Sequence, residues 1–206
     1  MTKEVFFFAI PPTTLGIFCL AFGYKFPAAI LILLGIFVVY FFRDPDRVIP
    51  REPGTVVSPA DGKVVEIVEE AFDSKMGRRV SIFLSIFDVH IQRAPVAGRV
   101  AQVIYRPGKF YGAFRSKASE LNEQNIIYIE TPEGMLPFKQ IAGAIARRVL
   151  CWKHEGDVVT RGERVGMIRF GSRVDVWLPM EAEVLVRHGQ KVQGGSSILA
   201  KWNSTA

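Results

Sequence analysis

Charge is nearly missing from the start of this chain: between Val5 and Phe42 the only charged side chain is Lys25. Cysteine is scarce too, with Cys19 in that apolar stretch and Cys151 in the polar remainder as the only two among 206 residues. Two such distant thiols exclude a disulfide framework, and a bridge between them is not expected in a cytoplasmic setting. No Cys-x-x-Cys pair or His/Cys cluster at zinc-ligand spacing occurs, so no metal is expected. The glycine fingerprints of phosphate-cradling and dinucleotide-binding loops are also missing, which leaves no sign of a nucleotide cofactor. The net charge is +6, yet no recognition-helix pattern, zinc-finger spacing or aromatic platform for single strands accompanies it, so nucleic acid is not an expected partner. Histidine is limited to His90, His154 and His188. A search for a general base is therefore short.

What the N-terminus has instead is two apolar runs, Val5–Phe22 and Pro27–Phe42, separated by Gly23-Tyr-Lys-Phe26. Each is at or just under the ~17–25 residues a spanning helix needs. A cleaved signal peptide fits poorly, because the runs follow each other and no small-residue cleavage site precedes the polar part. Residues 1–42 are thus expected to form a membrane anchor, as two short spanning helices or as a hairpin dipping into one leaflet. The run lengths favour two spans, while Pro11-Pro12 and the short second run keep the hairpin open. Lys3 precedes the first run and Arg43 and Arg47 follow the second, so the positive-inside rule puts both ends in the cytoplasm. The expected location is the cell membrane, with residues 43–206 as a domain on the cytoplasmic side. That remainder has 24 basic and 19 acidic residues, a net +5, which favours anionic headgroups at short range.

Arg43-Asp-Pro-Asp-Arg-Val-Ile-Pro50-Arg-Glu-Pro-Gly54 reads as a linker. Beyond it come short β-branched runs with glycine turns. Gly54–Val68 holds two runs around Asp61-Gly62, a favoured hairpin turn. Arg79–Phe87 is apolar enough to be a strand buried on both faces, and Ala97–Tyr105, Asn125–Glu130 and Ile141–Val149 continue in kind. Helix signals are few, the best being Ala113–Asn122. From Gly156 to Phe170 and from Val184 to Leu199, strands alternate with Gly-Asp and Gly-Gln turns in the texture of lipoyl and biotinyl hairpins, without the modified-lysine turn of those domains. The expected fold is mainly β (α+β), a compact barrel or sandwich preceded by the helical anchor.

Chemistry is suggested by Arg169-Phe-Gly-Ser-Arg-Val-Asp-Val176. A Gly-Ser bond held in a strained turn can cleave itself. Ser172 attacks the Gly171 carbonyl, the acyl group shifts from N to O, elimination breaks the ester, and the new N-terminus is left as a pyruvoyl ketone. For an isolated dipeptide the ordinary reading is a tight turn. Self-cleavage needs a nucleophile, a group to take its proton and donors for the oxyanion. His90 closes Ser85-Ile-Phe-Asp-Val-His90 at the end of an apolar strand, where a polar side chain either faces a site or caps the surface. His154 and His188 stand in polar, turn-like stretches, which reads as solvated loop. Asp61 is either a turn residue or a carboxylate that orients a histidine.

Eight segments occur in a telling order: Phe41-Phe-Arg-Asp-Pro45, Ser58-Pro-Ala-Asp-Gly-Lys-Val64, Phe87-Asp-Val-His90 with Arg93-Ala-Pro-Val-Ala-Gly98, Gly108-Lys-Phe110 with Asn122-Glu-Gln-Asn125, Gln140-Ile-Ala-Gly143, and Gly166-Met-Ile-Arg-Phe-Gly-Ser172. From about Phe41 to the C-terminus the chain closely resembles the phosphatidylserine decarboxylases, in their short form. The resemblance implies a proenzyme cut between Gly171 and Ser172 into a β chain, 1–171, and an α chain, 172–206. The two chains would stay together as a heterodimer, with any higher oligomer left open. It implies a covalent pyruvoyl cofactor from Ser172 and a phospholipid substrate at the membrane. The substrate amine would form a Schiff base with that group and lose CO2, so that phosphatidylserine becomes phosphatidylethanolamine. In the long forms an Asp-His-Ser triad drives cleavage; its Asp falls on Asp61 and its Ser on Ser172. Its histidine is the second of Asp-X-His-X-X-His, a position held here by Arg93, with only His90 remaining. The base is thus open between His90 and another group, and His90 is also the candidate proton donor to the α-carbon. Arg93, Arg115 and Lys117 are candidate contacts to phosphate or carboxylate, or else solvated charges. The reading from another class is a membrane-tethered adaptor built on lipoyl-like hairpins, without catalysis.

Overall fold

The computed structural model describes residues 4–109, 121–143, 148–169 and 172–202. The chain divides into two compact units, Met1–Asp46 and Arg47–Ala206.

The first unit is a helical hairpin. Helix α1 runs Glu4–Ala21 and helix α2 Lys25–Phe41, joined through Gly23 at φ 83°. The two apolar helices pack antiparallel through their small residues: a Cβ on Gly16 would lie 3.1 Å from Leu31 Cβ and 3.2 Å from the Ala28 carbonyl oxygen. Phe7, Phe18, Phe26 and Leu33 stay exposed. The preference for two spanning helices finds no support. At ~1.5 Å per residue, 18 and 17 residues reach about 27 and 26 Å, short of the ~30 Å hydrocarbon core, and among the described residues no helix is long and apolar enough to cross a membrane.

The second unit is mainly β. Its strands are β1 Thr55–Val57, β2 Gly62–Phe72, β3 Lys75–Leu84, β4 Ile91–Arg93, β5 Gly98–Arg106, β6 Gln124–Thr131 and β7 Gly134–Ala142. They continue as β8 Val149–Cys151, β9 Val158–Val159, β10 Arg164–Ile168, β11 Ser172–Pro179, β12 Glu183–Val184, β13 Lys191–Val192 and β14 Ile198–Lys201. A curled, half-barrel sheet has the order β13-β2-β3-β11-β7-β6-β5-β9, and two three-stranded sheets, β1-β14-β12 and β4-β10-β8, complete the unit. Val56, Leu199 and Ala200 from the first small sheet meet Val165 and Ile168 from the second and Ile82, Val174, Val176, Phe138 and Ile127 from the large one. This single core joins all three sheets.

Strands β3, β5 and β6 form where the β-branched runs predict them. Strand β3 stops at Leu84 rather than Phe87, because Asp88 Oδ2 accepts from the Ser85 backbone N–H and hydroxyl, both at 2.8 Å, and folds residues 85–88 into a turn. The expected Asp61-Gly62 hairpin does not form. Strand β1 pairs with β14, while β2 pairs with β3 and β13, so the two runs around Asp61 belong to different sheets. Strand β7 was hidden by Pro137 and Lys139, which break the apolar run; the expected Ile141–Val149 strand is instead the end of β7 and the start of β8. The helix expected at 113–122 falls almost wholly outside the described residues.

Strand β11 is central to the large sheet. Val174, Val176 and Leu178 face the core, and Arg173, Asp175 and Trp177 face the other side, where they too are buried. Arg173 donates to Asp175 at 2.6 Å, Glu66 at 2.8 Å and Ser81 at 2.7 Å, and Arg79 bridges Glu66, Glu70 and Ser81. Burial alone would raise the Glu66 carboxyl, but the Arg79 and Arg173 guanidinium groups outweigh it and hold it below its usual range. Burial pushes the Lys139 ammonium down, opposed by Asp175.

Candidate active site

Ser172 is the first residue of β11, opposite Leu84 of β3 on one side and Ala142 of β7 on the other. It is wholly buried, and its Oγ has no hydrogen-bond partner. An unpaired hydroxyl inside a protein is costly; this one stands at the residue expected to be the nucleophile. Gly171 lies outside the described residues, as do Arg115 and Lys117. The chain enters the expected cleavage region from β10, whose Ile168 N–H donates to the His90 carbonyl at 3.2 Å. Both flanks of the Gly171–Ser172 bond are therefore pinned to the segment that ends in His90: one through Leu84, one through His90 itself.

His90 is wholly buried. Its Nδ1 lies 2.9 Å from the Asp88 carbonyl oxygen, which can only accept, so the neutral ring carries its proton on Nδ1 and its basic lone pair on Nε2. The same turn that ends β3 thereby sets the tautomer. His154 and His188 are exposed.

Asp61 belongs to a different cluster. Its carboxylate accepts two hydrogen bonds from Arg47 Nη2, at 2.9 and 2.8 Å, and one from the Gly194 N–H at 2.8 Å. It makes no hydrogen bond to His90; the Asp88 carbonyl orients that ring instead. Arg93 joins the Asp61 side: its N–H donates to the Pro59 carbonyl at 2.8 Å and its Nη1 to that of Gly162 at 2.9 Å. It is buried, 7% exposed. A Cβ on Gly195, which has φ +79°, would sit 2.9 Å from Arg93 Cδ, so glycine is required there. The structure thus brings Asp61 together with Arg93, and Ser172 together with the His90 turn. The three residues of β4 separate the clusters, about 10 Å at ~3.3 Å per residue.

Sequence reasoning passed over the buried polar groups around Ser172. Gln92 and Gln140 are fully buried, as is Asn122, and Glu123 is nearly so. Asn122 Nδ2 donates to the Ala142 carbonyl at 2.7 Å, the Ala142 N–H to the Glu123 carbonyl at 2.9 Å, and the Val149 N–H to Glu123 Oε1 at 3.1 Å. Ala142 is the β7 partner of Ser172, so these bonds build the wall beside it. The available signal was Asn122-Glu-Gln-Asn125, four polar residues leading straight into a β-branched run. Among the described residues no group of acidic, histidine or cysteine side chains is placed to hold a metal.

A family model described as phosphatidylserine decarboxylase matches residues 34–200. A phosphatidylserine decarboxylase proenzyme of Solibacter usitatus is 52% identical over 171 residues, covering 83% of this chain and 81% of its own. One from Desulfotalea psychrophila is 45% identical over 176 residues, covering 84% and 82%. The fold, the buried serine and these matches define a decarboxylating enzyme made as a proenzyme. The chain belongs to the phosphatidylserine decarboxylase family.

Proposed function

We propose that this protein converts phosphatidylserine to phosphatidylethanolamine with a pyruvoyl group made from its own Ser172. The observation that carries the reading is the Ser172 hydroxyl, buried and unpartnered on the central strand at the position where self-cleavage is expected. The hydroxyl adds to the Gly171 carbonyl carbon as a base takes its proton. The peptide C–N bond breaks with protonation of nitrogen, leaving an ester. Loss of the Ser172 α-hydrogen expels the Gly171 carboxylate and leaves dehydroalanine, whose imine tautomer takes up water and releases ammonia.

His90 is the base in this reading, through Nε2, and later the donor that returns a proton to the substrate's α-carbon. Asp61 acts at a distance: paired with Arg47, it fixes the segment whose Pro59 carbonyl holds Arg93, and so fixes the β4 strand that follows His90. Once formed, the ketone supplies a covalent attachment for the substrate amine and a sink for the electron pair left by CO2. Arg93, Arg115 and Lys117 are the cationic candidates for the substrate's phosphate or carboxylate.

The helical hairpin is assigned to the cytoplasmic leaflet of the cell membrane, with the β unit on the cytoplasmic side. Its exposed phenylalanines and leucines and the basic residues that flank it support that placement. Denaturing gels with intact-mass measurement test the chemistry. Wild-type protein should give two chains divided at Gly171–Ser172 with a pyruvoyl-terminated α chain, and Ser172→Ala one inactive full-length chain. A cleaved, active Ser172→Ala protein overturns the reading.

A further inference from the structure

We propose that Gln140 recognises the amine of the serine headgroup, its Oε1 accepting a hydrogen bond from the substrate nitrogen; this rests on the function proposed above. The His90 carbonyl oxygen can only accept. Gln92 Nε2 donates to it at 2.9 Å, so the Gln92 amide has one possible orientation and its Oε1 faces away. Gln140 Nε2 donates to that Oε1 at 2.9 Å and to the Leu150 carbonyl at 3.3 Å. With two acceptors before its NH2 group, the Gln140 amide is fixed as well. Its Oε1 is then left buried without any donor.

That acceptor stands close to the reacting residue. Gln140 is opposite Val174 and Ala142 is opposite Ser172, so Gln140 and Ser172 are diagonal neighbours on the same face of adjacent strands, about 7 Å apart at Cβ. Gly166 keeps room for the amide: a Cβ there would come within 2.7 Å of Gln140 Nε2. In the uncleaved chain both the Ser172 Oγ and the Gln140 Oε1 lack partners. The amide oxygen is therefore not spent on the serine hydroxyl, and it remains for a donor that arrives later. The serine headgroup brings one strong donor, its amine. A neutral acceptor also suits the chemistry, because a carboxylate in that place would hold the nitrogen as ammonium, which cannot attack a ketone.

The test uses two variants in full-length protein. In Gln140→Met, self-cleavage should yield both chains, while kcat/KM for short-chain phosphatidylserine falls at least tenfold, because the amine then lacks its partner. Binding gives a readout free of turnover. In the uncleaved Ser172→Ala background, titration should show dihexanoyl phosphatidylserine bound at least fivefold more tightly than dihexanoyl phosphatidic acid, and adding Gln140→Met should abolish that preference. Processed Gln140→Met with near-wild-type kcat/KM overturns the assignment, as does a preference that survives Gln140→Met or is absent from Ser172→Ala. Wild-type protein that neither cleaves nor decarboxylates would instead refute the underlying function.

Discussion

At the scale of single residues, the site depends on which hydrogen bonds are made and which are withheld. His90 takes its orientation from a backbone carbonyl two residues earlier, so its basic nitrogen is set by a local turn. Replacing it with alanine should slow self-cleavage about 100-fold or more, the usual worth of a positioned acid or base, measured as precursor loss on denaturing gels. Asp61 has another task. Asp61→Asn leaves the largely buried Arg47 without its charge partner and should cost about 1–3 kcal/mol, a fall in Tm of ~2–12 °C. If Asp61 acts through β4 rather than by touching His90, its effect on the cleavage rate should be smaller than that of His90→Ala. An equal loss would show direct participation.

At the scale of elements, β11 carries both Ser172, the proposed nucleophile, and a buried polar face. A strand whose two faces are both covered usually reads as a continuous apolar run, but Ser172-Arg-Val-Asp-Val-Trp177 alternates. Arg173 and Asp175 are tolerated because Ser81 and Arg79 of the adjacent β3 and Glu66 of β2 beyond it pair with them. The folded Glu66 carboxyl titrates below its ordinary value of 4.5. Its contribution is therefore fully present above that pH and is lost as pH falls through the lower, folded-state value. Thermal melts at pH 7 and pH 4 should show a smaller acid-induced drop in Tm for Glu66→Gln than for wild type. Between β10 and β8, Gly166→Ala should lower Tm and slow cleavage together, since the added methyl meets both the Leu150 backbone and the Gln140 amide.

At the scale of the whole molecule, cleavage would divide one fold between two chains. The segment after Ser172 supplies β11 to the middle of the large sheet, β13 to its edge, and β12 and β14 to a small sheet with β1. Eight residue pairs join β11 to β3 and five join it to β7, so the cut ends at a strand already held on both sides. Processed protein should therefore elute as one species containing both chains on size exclusion, and separate only in denaturant. Chains that part under native conditions would contradict this topology.

The strands β3, β5 and β6 were legible because β-branched runs impose their own local geometry. The Gly171-Ser172 dipeptide could be singled out as well, because an N-to-O acyl shift needs only adjacent atoms. The pairing of β1 with β14 and the insertion of β11 between β3 and β7 were not legible, since register between segments far apart in the chain is decided by the packing of a common core. The same holds for the side chains around Ser172. Sequence alone offered Asp61, His90 and Ser172 as three separated letters and left the base undecided. Tertiary structure decided that Asp61 belongs with Arg47 and Gly194, that His90 is aimed by Asp88, and that Gln140 keeps a buried oxygen without a partner. Those are distances in space, and a linear chain determines them only by folding.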